Sequence, residues 1–173
     1  MRRLWAASAA IVVCLTLGGL PVAGQDESQS KGAVWVTGPA TQAPCEVGDV
    51  EMVIEDGPVT GHRGLSISCT DDLGDARLSG PSVKLYNDDC YAGAGCVYWG
   101  TQELTGPDGT WTGTFNGTTD PQGSGGSYQV LVGTGGYEGL TYVGLAIGQF
   151  GEPPRVFGRI YEGDPPPAPG STQ

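Results

Sequence analysis

A hydrolytic or group-transfer site needs a nucleophile beside a base, and that base is most often histidine. This sequence holds one histidine, His62, set between Gly61 and Arg63-Gly64 in a stretch of chain-breaking residues. No Gly-x-Ser-x-Gly elbow presents a serine. His62 therefore reads as a solvated loop residue, and no catalytic residue is nominated. Carboxylates are plentiful, with 19 Asp and Glu. Asp71, Asp72 and Asp75 share one turn, and Asp88 and Asp89 another. Calcium takes several oxygens from such loops. Neither cluster has EF-hand spacing or a closing glutamate, and aspartates that bond their own backbone in turns account for both. Glycoside hydrolysis wants two carboxyl groups facing across a cleft. Among so many acidic residues, spacing singles out no pair.

Two groups remain that could bind a ligand. Val97, Trp99, Thr101 and Glu103 alternate along one strand face. If that face points inward, Glu103 needs a partner such as Arg77 or Arg159. Without one, its carboxyl could serve as an acid or base. Trp35, Tyr98, Trp99, Trp111, Tyr137, Tyr142 and Phe157 could line a cavity or stack on a sugar. The same residues could simply fill a small barrel, whose interior at eight strands just accommodates side chains. The candidate binding set is Trp99, Glu103, Trp111, Tyr137 and Tyr142, for a small apolar ligand or a carbohydrate. Asn116-Gly-Thr118 matches a glycosylation sequon, which matters only in a eukaryotic host.

These residues must be positioned by strands. In 110–118, Trp111 and Phe115 alternate with Gly113 and Gly117 on one face, and Thr and Asn occupy the other. That is a period of two. Glycine inside a strand marks a bend or a close neighbour, and a ring beside it can lie over bare backbone, as in curved sheets that close. Strand patterns occur at 33–37, 49–55, 65–69, 76–80, 82–86, 97–104, 109–117, 127–133, 140–148 and 155–161, with 56–64 as loop. Gly, Pro, Asn and Asp punctuate them. Close, regular spacing of short strands predicts an all-β fold. The expectation is an antiparallel eight-stranded closed barrel (eight or nine strands), stapled by disulfides.

Residues 1–24 read as a secretory signal peptide: Arg2 and Arg3, an apolar run over 4–20, then Val22-Ala23-Gly24. Residues 25–32 form a flexible leader, 33–162 the barrel domain, and 163–173 a disordered Pro-rich tail. The precursor's net charge is −11, and cleavage removes two arginines. With no basic cluster, nucleic acid and anionic membrane surfaces are excluded as partners. Cleavage also leaves no membrane segment. Four cysteines remain in the exported chain: Cys45, Cys69, Cys90 and Cys96. Three pairings are possible, and the local one, Cys45–Cys69 with Cys90–Cys96, is preferred. No Cys-x-x-Cys occurs beside the lone histidine, so no zinc site or other metal is expected. No cofactor is implied.

Three stretches carry a family resemblance. They are Arg77-Leu-Ser-Gly80 after an acidic turn, Gly109-Thr-Trp-Thr-Gly-Thr-Phe-Asn-Gly-Thr118, and Gly133-Thr-Gly-Gly-Tyr-Glu-Gly-Leu140. Together they resemble the allene oxide cyclase/dirigent-like barrel group, in its exported bacterial members. There a Gly-x-Gly-x-aromatic-x-Gly turn joins two late strands, matched here by Gly133, Gly135, Tyr137 and Gly139. The resemblance spans roughly 76–161. It implies an eight-stranded antiparallel barrel and, as one possible activity, a cyclase- or isomerase-like reaction on a small apolar substrate. The expected function is a secreted binding or structural module without a catalytic site. The alternatives are that barrel enzyme and a carbohydrate-binding module.

Overall fold

The computed structural model describes residues 33–149 and 151–167. The signal peptide, the leader and residues 168–173 of the tail lie outside the described residues. Ten strands follow in chain order: β1 (Val34–Pro39), β2 (Thr41–Val47), β3 (Met52–Asp56), β4 (Val59–Asp72), β5 (Ser79–Tyr91), β6 (Gly95–Thr105), β7 (Gly109–Thr119), β8 (Ser124–Gly135), β9 (Leu140–Gln149) and β10 (Arg155–Glu162). One 3-10 turn, Ala76–Leu78, separates β4 from β5.

All ladders are antiparallel. Nine strands follow one another in the order β1-β10-β9-β8-β7-β6-β5-β4-β2, and β3 pairs with β4 off that path. β1 and β2 sit at the two ends of this order, yet only Ala40 lies between them. One bent stretch of chain thus pairs first with β10 and then with β4, and so nearly closes the barrel. Closure demands stagger. A row followed from Val34 through Ile160, Tyr142, Leu131, Gly113, Gln102, Lys84 and Ile67 returns to the bent stretch at Val47, not at Val34.

The pattern on β7 reads out as expected. Trp111 and Phe115 are buried, while Thr112, Thr114, Asn116 and Thr118 face solvent. Inward glycines make room for rings. A β-carbon on Gly117 would meet the Tyr98 ring at 2.5 Å, and one on Gly158 would meet Tyr142 at 2.8 Å. The end holding the β6–β7 and β8–β9 turns is plugged by Leu73, Leu78, Leu104, Trp111 and Tyr137. Both cysteine pairs form locally, as Cys45–Cys69 and Cys90–Cys96.

Several local expectations change. Asp88 and Asp89, expected in a turn, lie on β5, and Asp71 and Asp72, expected in another, end β4. Residues 59–64, expected in a loop, lie on β4. Their breakers make a bulge between His62 and Leu65, where Gly64 has φ +68°. The 76–80 segment is not a strand at first but the 3-10 turn. Asp75 caps it by accepting from the Arg77 amide at 2.9 Å. β2 was not foreseen, because Pro44 interrupts it; the register with β4 shifts there, between Ala43 and Glu46. The tail begins tied down. Gly163 N donates to the Gly139 carbonyl, and the Thr141 hydroxyl donates to the Gly163 carbonyl at 2.6 Å.

Candidate functional site

The sequence-derived binding residues are not brought together. Trp111 is fully buried and stacks on Tyr137 at 5.0 Å. Its indole N–H donates to the Arg77 carbonyl at 2.8 Å, and the Asp108 amide donates to the Tyr137 hydroxyl at 3.2 Å. These two rings are the plug. Tyr142 is buried on β9 and lies over Gly144 and Gly158. Trp99 and Glu103 sit on the outer face of β6, where both are exposed. Glu103 therefore needs no buried partner. Arg77 forks onto Asp75 at 2.9 and 2.8 Å, and Arg159 lies over the Tyr161 ring. The outer face is also partly apolar: Tyr128, Leu145 and Phe157 are exposed in one cross-strand row. Trp35 on β1 is 74% exposed.

The opposite half of the interior is built differently. β5 points Ser82, Lys84, Tyr86 and Asp88 inward, because Val83 and Leu85 face out. β6 adds Tyr98 and Gln102, and β7 adds Phe115. Tyr86 stacks with Tyr98 at 5.6 Å and with Phe115 at 6.0 Å, with interplanar angles of 22° and 24°. Phe115 is buried, but Tyr86 and Tyr98 keep part of their surface accessible. The Tyr98 hydroxyl donates to the Gly126 carbonyl at 3.1 Å. Burial pushes both phenols above their usual range, and for Tyr86 the nearby charge of Asp88 adds to it.

At the rim beside these rings stands His62. Its Nδ1 lies 3.0 Å from Asp88 Oδ1, and its backbone N–H donates to the same oxygen at 2.8 Å. The His62 side chain is 44% exposed, while that of Asp88 is only 11% exposed. A carboxylate on Nδ1 sets the tautomer and leaves Nε2 to act as an acceptor. The β4 bulge aims this ring. Asn87 Oδ1 accepts from the Gly64 amide at 3.0 Å, and the Arg63 guanidinium reaches the Asp88 carbonyl and Asp89 Oδ1 at 2.6 and 2.7 Å. The Arg63 guanidinium also lies 4.8 Å from the centre of the outer Trp99 ring.

His62 was misplaced by sequence reasoning because glycines flank it; its pairing with Asp88 spans 26 positions and leaves no local signal. Tyr86 and Phe115 went unnominated as ligand contacts. The alternation of 82–88 does contain Tyr86, but its aliphatic members, Val83 and Leu85, face outward. Among the described residues, no group of three or more His, Cys, Asp or Glu is placed to hold a metal ion. No helix among them is long and apolar enough to cross a membrane. Two disulfides accord with an extracellular protein. Compared with family models, with curated proteins and with solved structures, the chain matches none.

Proposed function

We propose that this chain is an exported binding module whose barrel takes a small, flat, mainly apolar molecule at the end opposite the plug. The observation that carries it is the Tyr86–Tyr98–Phe115 stack, inside the barrel yet partly accessible. Aromatic faces bind flat apolar rings, and a few polar groups at the edge fix orientation. His62, Asp88 and Gln129 supply those groups: Gln129 shares the Tyr86–Phe115 row, and His62 and Asp88 share the next. The secretory signal, read from the sequence, directs the module outside the cell.

Naphthol, a flat ring carrying one hydroxyl, is a suitable probe. Titration should shift the NMR signals of His62, Tyr86, Tyr98 and Phe115 in a saturable manner, and Tyr86→Ala should abolish the saturation. Shifts confined to Trp99 and its outer neighbours would instead favour a carbohydrate-type surface site. No saturable shift anywhere would sink the binding reading.

The second reading is an enzyme of the cyclase or isomerase kind, which the likeness to the allene oxide cyclase/dirigent-like group implies. The observation in its favour is the His62–Asp88 pair, which leaves Nε2 free as a general base. Cyclohexenone in deuterated buffer tests it. The protein should speed exchange of the enone's acidic C–H protons, and His62→Gln should lose that acceleration. Equal rates with both proteins would remove the catalytic reading and leave the binding one intact.

A further inference from the structure

Inside the barrel, between the plug and the aromatic stack, one carboxylate gathers three donors. Asp71 on β4 has no exposed surface. Its Oδ2 accepts from the Ser82 hydroxyl at 2.7 Å and from Gln102 Nε2 at 2.9 Å, and Lys84 Nζ lies 2.9 Å away. The Lys84 side chain is only 10% exposed. Two acceptors of this cluster, Asp71 Oδ1 and Gln102 Oε1, are buried without a hydrogen-bond partner. An ion pair shut away from water is costly to keep, and buried acceptors left unpaired add to the cost. The arrangement is therefore unfavourable as an ion pair and well placed for a reaction between its members.

We propose that Lys84 and Asp71 condense into an intramolecular amide that covalently joins β4 to β5. The ammonium first passes one proton to Oδ2, the oxygen 2.9 Å away. The neutral amine then attacks Cγ, forming the Nζ–Cγ bond and moving the carbonyl electron pair onto Oδ1. A second proton moves from Nζ to Oδ2, the Cγ–Oδ2 bond breaks, and Oδ2 leaves as water; the Ser82 O–H and the Gln102 N–H, already donating to Oδ2, steady that oxygen as it departs. The pair on Oδ1 returns to make the amide carbonyl, and one proton stays on Nζ. The step needs no oxidant and no co-reactant. It replaces the buried ion pair with a neutral amide. It also closes the chain around the 3-10 turn, locking Leu78 in the plug.

A tryptic digest of the reduced, denatured wild-type protein tests the proposal. Trypsin cuts after Arg63, Arg77 and Lys84. The amide blocks the last cut and ties residues 64–77 to the segment that begins at Leu78. The expected product is one branched fragment, lighter by one water than the sum of its two parts, with fragmentation placing the branch at Asp71 and Lys84. Quantitative recovery of separate linear peptides 64–77 and 78–84 would overturn the proposal. Lys84→Arg keeps the positive charge but should give only linear peptides. If that variant does not fold, the wild-type digest still decides the matter alone.

Discussion

Phe115 of β7 lies against Gly100 of β6, its cross-strand partner: a β-carbon on residue 100 would stand 2.7 Å from the ring's Cζ. The next inward pair inverts the arrangement, with Tyr98 on β6 over Gly117 on β7. Each ring fills the space that the glycine opposite leaves. A curved wall of rings and bare backbone can approach more closely than one of branched side chains, which lets so small a barrel hold an aromatic stack.

Gly100→Ala should therefore be costly although it adds one methyl group. The new carbon would strike the Phe115 ring and also the Leu85 carbonyl, which belongs to the ladder and cannot swing aside. Overpacking of this kind costs about 1–3 kcal/mol. Denaturant unfolding should show that loss. Phe115→Leu combined with Gly100→Ala should recover only part of it, because the carbonyl clash remains. A Gly100→Ala protein as stable as wild type would refute the packing account.

The two disulfides should differ in weight. Cys45–Cys69 closes a sequence separation of 24, and Cys90–Cys96 one of 6. In the chain-entropy description, the longer loop contributes roughly 3.5 kcal/mol and the shorter roughly 2 kcal/mol. β5 and β6 are also held together along their whole length by the ladder that contains the Cys90–Cys96 pair. Cys45 instead lies where the β2–β4 register breaks. Replacing both cysteines of a pair by serine, one pair at a time, should lower the urea midpoint more for Cys45–Cys69. The reverse order would mean that the unfolded-chain argument fails here.

How much of this was legible can be judged from particular residues. The β7 alternation and the glycine-for-ring exchange are local, and the sequence displays them openly. The cysteine pairing is local too. The interior of β5 is not legible in the same way. In 82–88 the apolar members, Val83 and Leu85, face solvent, and Ser82, Lys84 and Asp88 face in. Apolar-inward patterning thus inverts on this strand, because its polar groups find partners on β4: Ser82 and Lys84 meet Asp71, and Asp88 meets His62. Those partners lie on another strand, 11 positions away for Ser82 and 26 for Asp88, so no local spacing displays them. The Trp99–Glu103 face misleads for the complementary reason. An exposed tryptophan, a threonine and a glutamate recur at every second position just as one face of a half-buried strand would, and only Gly100 and Gln102 facing in settle the direction.

The pH dependence should have two limbs with opposite causes. Asp75 is held below its ordinary 3.8, chiefly by the side-chain hydrogen bond from Arg77. A depressed carboxyl contributes stability above its unfolded value and loses it as pH falls through the folded one. Arg77→Met should therefore flatten the acid limb. Tyr86 and Tyr142 are raised well above their ordinary 10.0, first of all by burial. A raised phenol holds its proton more tightly in the folded state. Its contribution is complete below the unfolded value and disappears as pH rises beyond it. Urea midpoints measured across alkaline pH should fall in the wild type and fall less steeply in Tyr142→Phe. Phenolate absorbance should appear together with unfolding, not ahead of it. If the tyrosine signal titrates fully while the fold persists, the rings are open to water, and both the filled barrel half around Tyr142 and the half-closed aromatic stack around Tyr86 would have to be redrawn.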